Sequence, residues 1–214
     1  MRKRFLFFSL GVSAFFGFAQ LTCAQSEVQH FTFNVGGGYT ATTGNISNRL
    51  DGGGHFQAGI GYNLNRYLGI LGTFTFHQLG LTGQALNALD VPDGTSRVYS
   101  FTVDPKITLP FRVLGGFYLV GGGGWMRRTV EFTQPTVAQT FVFDPWFGYF
   151  GPALIPANQV LGSYSQNAGV WDVGGGVNIP LPRAKFKLYV ETRFYDGITN
   201  THTTLVPITV GLRW

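Results

Sequence analysis

Cysteine is almost missing from this chain of 214 residues: Cys23 is the only one, so no intramolecular disulfide can staple the fold. Charge is scarce too, at 12% of residues, with 15 Lys+Arg against 10 Asp+Glu for a formal balance of +5. Arg2, Lys3 and Arg4 stand together at the start, and without these cations the balance falls to +2. A nucleic-acid footprint therefore has no support. Beyond residue 24 no run reads as a membrane-crossing helix. The stretch from Pro145 to Trp171 carries no charge, but Pro152 and Pro156 interrupt it, and each interior proline disfavours a helix by about 3 kcal/mol. It reads as a loop. The glycine runs at Gly36–Gly38, Gly52–Gly54, Gly121–Gly124 and Gly174–Gly176 are never followed by Lys and Ser or Thr, which excludes a phosphate-binding loop. No two histidines share ligand spacing, so neither a metal nor a cofactor is expected.

What is present begins with the address. Arg2, Lys3 and Arg4 precede an uncharged run from Phe5 to Phe18, and "LTCAQ" offers the small residues Thr22 and Ala24 for cleavage after Ala24. This is the form of a secretory signal peptide over residues 1–24. Gln20, Leu21 and Thr22 before Cys23 do not fit lipid attachment. Residues 25–214 then form one domain, with no linker and no second composition block.

Glycine numbers 31 and aromatics reach 16%, which favours many short strands and turns over helices. Period-two alternation marks eight candidates: "HFTFNVGGGYT", "HFQAGIGYN", "YLGILGTFTFH", "VYSFTVDPKIT", "FYLVGGGGWMRR", "VWDVGGGVNI", "FKLYVETRFY" and "TLVPITVGLRW". In the second, Phe56, Ala58, Ile60 and Tyr62 oppose His55, Gln57 and Asn63; in the fourth, Tyr99, Phe101, Val103 and Ile107 oppose Ser100, Thr102, Asp104 and Lys106. Glycine blurs the faces of the fifth. The connections alternate strictly. "NLNR", "LPFR" and "LPRAK" are short, whereas "ATTGNISNRLDGGG", "QLGLTGQALNALDVPDGTSR", the stretch from Thr133 to Asn167 and "GITNTHT" are long.

One face of nearly every strand is apolar and uncharged, while strand charges fall on the other, the reverse of what a water-facing surface needs. A barrel closed in lipid, where closure satisfies every backbone group, explains both features. Short periplasmic turns, long external loops and an even strand number belong to such barrels. The expected fold is an all-β, eight-stranded, antiparallel up-and-down transmembrane β-barrel, with Trp214 at the periplasmic aromatic girdle.

The segments "GGGHFQAGIGYNLNRYLGI", "KLYVETRFYDG" and "ITVGLRW" resemble the small eight-stranded outer-membrane barrels, the OmpA-like and OmpW-like beta-barrel domains, across all of the mature chain. The resemblance implies insertion into the outer-membrane bilayer as a monomer, with help from periplasmic chaperones and the barrel-assembly machinery. It also implies that this machinery reads Trp214 with Leu212 and Val210 before it; phenylalanine is the more usual last residue, so the tryptophan is a departure. Members serve as adhesins, structural anchors, small-solute pores and lipid-modifying enzymes.

For the lumen, a turn near Arg183 sets Asp172 opposite Phe194 and diagonally beside Arg193, with Glu191 two residues away on the same face. Asp172, Glu191 and Arg193 are thus expected to form a charged cluster, with Asp104 and Lys106 as further lumen-facing charges. His77, His202 and Ser100 near the strand tops are the only candidates for catalysis, and no spacing links a nucleophile to a base and an orienting acid. The aromatics of "TFVFDPWFGYFGPALIP" are expected to extend strands five and six above the membrane; the competing reading is a docking patch for a partner or apolar solute. The functional expectation is a noncatalytic barrel contributing to surface integrity or binding, the alternatives being a narrow passive channel and a lipid A-modifying enzyme.

Overall fold

The alternation of apolar and polar side chains folds into strands β1 Phe31–Thr43, β2 Leu50–Asn63, β3 Leu68–Leu81, β4 Asp93–Leu109, β5 Phe117–Asp144, β6 Tyr149–Pro180, β7 Lys187–Gly197 and β8 Thr203–Arg213. The computed structural model describes residues 30–109, 116–146, 148–181, 184–198 and 202–214. The expected signal peptide with Cys23, the turn residue Arg183, and parts of the "LPFR" and "GITNTHT" connections lie outside them. Each strand pairs antiparallel with its sequence neighbour, and β1 pairs with β8, so the sheet closes into an up-and-down barrel. The closing seam runs from Thr43 beside Thr204 to Asn34 beside Arg213. It is completed by main-chain hydrogen bonds between Phe33 and Trp214 of 2.8 and 3.0 Å.

The faces are those of an inside-out protein. On β2, Phe56 is 48% exposed whereas its neighbour Gln57 is fully buried. The same contrast repeats at Phe74 against Thr73 and Thr75, Phe101 against Ser100 and Thr102, and Ile208 against Thr209. Among the described residues no helix is long and apolar enough to cross a membrane; the crossing surface is the outside of the strands.

The chain departs from the sequence reading in three places. The stretch from Pro145 to Trp171 is not a loop: only its first residues turn, and β6 starts at Tyr149. Pro152 pairs with Phe141 and Pro156 with Val137, but beyond Thr133 β5 has left its last β4 partner, Asp93, and β6 meets β7 only from Val170 onward. Both strands of this hairpin are therefore edge strands, where proline is tolerated. Asp172 pairs with Tyr195, and Phe194 pairs with Val173, so the expected register of β6 on β7 was one residue out. Directly paired residues of an antiparallel ladder share a face; an inward Asp172 cannot sit opposite the outward Phe194. Finally, the second long connection is mostly structured, since β3 runs on to Leu81, a helix α1 spans Gly83–Leu89 with Thr82 capping it through Ala85 N–H, and β4 begins at Asp93.

Candidate functional site

The lumen is filled in layers. At mid-height Arg193 from β7 donates through Nη1 to Asp104 Oδ2 at 2.6 Å and to Asp172 Oδ2 at 2.9 Å, and through Nε to Glu191 Oε1 at 2.7 Å. All four side chains are at most 2% exposed. Glu191 also accepts from Gln57 Nε2 at 3.0 Å and from the Tyr118 hydroxyl at 2.7 Å. Arg213 Nη2 lies 3.6 Å from Glu191 Oε2, and its guanidinium sits 4.3 and 4.6 Å from the ring centres of Tyr118 and Tyr189. Toward the short-turn end Lys106 donates to Asn63 Oδ1 at 2.9 Å, and Arg213 donates to Asn178 Oδ1 at 2.9 Å. Three carboxylates thus face Lys106, Arg193 and Arg213, and the lumen is cross-braced from β2, β4, β5, β6, β7 and β8.

Inward glycines make room for these side chains. A Cβ on Gly174 would lie 2.6 Å from Arg193 Cγ, and one on Gly176 would lie 2.5 Å from the Tyr118 hydroxyl oxygen. At these two positions the glycine leaves space for a bulky neighbour across the sheet.

Above the charged layer Thr40 Oγ1 bridges His55 Nδ1 at 3.0 Å and His77 Nδ1 at 2.8 Å, and His55 Nε2 meets Thr209 Oγ1 at 2.8 Å. The loop end of the lumen is then closed by an apolar cluster that includes Leu79, Val98, Met126, Val170, Tyr195 and Leu205, with Leu86 of α1 packed against it. This plug is absent from the sequence reading, although its signal is present. Continuing the alternation of β3 past His77 puts Leu79 and Leu81 on the inward face, where both are buried.

The structure brings Asp172, Glu191 and Arg193 together, and it adds Asp104 to the same guanidinium. Lys106 faces the lumen but pairs with Asn63. Of the catalytic candidates, His77 and Ser100 are buried diagonal neighbours on the inward faces of β3 and β4, whereas His202 stands apart from them. His77 is held by Thr40, His202 lies 3.2 Å from Asp196 on the exposed rim, and Ser100 is buried with no hydrogen bond to either among the described residues. Trp214 is 42% exposed on the outer face at the short-turn end and stacks on Phe33 with ring centres 6.2 Å apart. Leu212 and Val210 are exposed on the same face, paired with Val35 and Gly37.

The second notable feature is an arm. Beyond Thr133 the β5/β6 hairpin continues as a two-stranded ribbon from Gln134 paired with Gln159 to Asp144 paired with Tyr149, after an irregularity at Phe132/Thr133. At about 3.3 Å per residue it projects roughly 35 Å past the rim. Of the aromatics of "TFVFDPWFGYFGPALIP", Phe141, Phe143, Tyr149 and Phe150 lie along it and Trp146, 91% exposed, lies at its tip, while Phe147 is outside the described residues.

A closed ring of eight antiparallel strands with an apolar exterior, a polar braced interior and long excursions at one end defines a small outer-membrane barrel. The family model of the outer membrane protein beta-barrel domain matches residues 10–213, and the chain belongs to that family. Among solved structures it is similar to Neisserial surface protein A (TM-score 0.57, 13% identity, covering 86% of this chain and 96% of that one). It is also similar to Ail, the attachment invasion locus protein of Yersinia pestis, solved with the heparin analogue sucrose octasulfate (TM-score 0.52, 16% identity, covering 86% of this chain and 99% of that one). At these identities the likeness is one of fold. No curated protein matches at the level of sequence.

Proposed function

We propose that this chain is a noncatalytic outer-membrane barrel that acts through its external arm, making contacts at the cell surface and contributing to the integrity of that surface. The observation that carries this reading is the arm itself: a long ribbon with exposed Phe141, Phe150 and Leu154, built on a barrel whose lumen is occupied by its own side chains. Export by cleavage after Ala24, and recognition of Trp214, Leu212 and Val210 by the assembly machinery, belong to the same proposal. The noncatalytic reading is supported by the absence, among the described residues, of a hydrogen bond linking Ser100 to His77, and by the place of His202 on the exposed rim.

The test removes the arm and keeps the barrel. A chain in which residues 134–160 are replaced by a short turn should still enter the outer membrane and keep a gel mobility that shifts on boiling. Its cells should show reduced adhesion to hydrophobic beads or increased uptake of an apolar fluorescent dye. Adhesion and dye exclusion equal to those of the intact chain would contradict a surface role for the arm.

A further inference from the structure

The two faces of the arm are unequally apolar. Pairing of Phe143 with Phe150, Phe141 with Pro152 and Gln139 with Leu154, with Val137 in the same register, collects Val137, Phe141, Phe143, Phe150 and Leu154 on one side. Phe143 and Phe150 touch, with ring centres 5.2 Å apart. The opposite side mixes the small residues Thr136, Ala138, Thr140, Ala153 and Ala157 with Val142, Tyr149 and Ile155, which are 47%, 57% and 41% exposed.

The five large residues are between 50% and 73% exposed. With aromatic side chains offering about 150–250 Å² each, that leaves on the order of 600 Å² of apolar surface on the phenylalanine side, more than on the other. This is near the upper limit of what monomers expose and close to the roughly 800 Å² that each partner buries in a specific interface. A two-stranded ribbon is marginal by itself in water, so this face calls for cover.

Charge selects the occupant. From Gln134 to Val170 the sequence holds a single charged residue, Asp144, and the residues of the phenylalanine face are all uncharged. An apolar, uncharged face offers nothing to a polyanion or a charged peptide, whereas two copies of it meet without opposing like charges. The membrane supplies the symmetry. Every copy inserted with the same sidedness raises its arm on the same side, and a two-fold axis along the membrane normal turns the phenylalanine face of one arm onto that of the next. Stacked about 10 Å apart, the two ribbons form a small sandwich with both faces covered.

We infer that the Val137–Phe141–Phe143–Phe150–Leu154 face of the arm is a homodimer interface, a conclusion that rests on reading the arm as the contact-making element. The expected monomer gives way to a pair joined above the membrane. The test places a single cysteine at Gln139, on the apolar face, or at Thr140, on the opposite one, each in the full chain with Cys23→Ser. Intact outer membranes are then treated with a short bismaleimide. Gln139→Cys should give covalent dimers, Thr140→Cys should give few, and adding Phe141→Asp with Leu154→Asp should abolish them while the barrel keeps its heat-dependent mobility. Equal dimer yields at both positions, or none at Gln139 in a heat-modifiable barrel, would overturn the inference. Capture of a different protein at Gln139 alone would also overturn it, yet leave the arm as a contact element, which only the arm-removal experiment can contradict.

Discussion

Arg193 is where the lumen converges, because it holds Asp104, Asp172 and Glu191 at once while its Nη2 reaches Thr73 Oγ1 at 3.4 Å. Buried ion pairs are poor evidence for net stability, but removing one partner leaves the others charged without compensation, at about 3–5 kcal/mol. Arg193→Ala is therefore expected to lower unfolding stability in detergent by that order. Combining it with Asp104→Asn, Asp172→Asn and Glu191→Gln should cost less than the separate losses added together, read from urea unfolding midpoints. Strict additivity would contradict the cluster. Glu191 and Arg193, two apart on one strand, are legible as inward neighbours from period two alone. The role of Asp104 is not: alternation gives the face a residue occupies but not its height, which depends on the stagger of the strands around the barrel. A contact across the lumen from β4 to β7 has no trace in local pattern.

At the scale of the strand, what the sequence shows best is β8 and what it shows worst is the upper half of β5 and β6. Ile208, Val210, Leu212 and Trp214 alternate cleanly with Thr209 and Arg213, and the structure puts the first set outside and the second in the lumen. Gly121–Gly124 erase the alternation in β5, and the prolines of β6 argue against a strand that edge positions in fact permit. Leu79 and Leu81 were hidden differently: their register was right, but they lie among turn-forming residues. Because β8 closes the barrel on β1 with Trp214 stacked on Phe33, its end must be placed before the seam can form. Trp214→Ala is expected to reduce the amount of barrel recovered in the outer membrane, and Trp214→Phe to preserve it, as measured by quantitative immunoblot of membrane fractions. Equal levels for all three chains would remove the targeting role of this residue.

At the scale of the molecule, the barrel has exchanged the two environments of a soluble protein. Its hydrophobic surface faces lipid, and its polar network is enclosed, sealed toward the loops by the Leu79–Val98–Met126–Leu205 cluster and braced at mid-height by Arg193. Interiors of eight-stranded barrels are only wide enough to be filled by side chains. Here they are filled with paired charges that would have to be broken to admit water, which sets this account apart from that of a passive channel. The most direct measurement is single-channel conductance of the purified, folded chain in a planar bilayer. A lumen braced in this way should give a closed trace across the applied voltages; steady, stepwise openings would show that it conducts and overturn the closed-lumen reading.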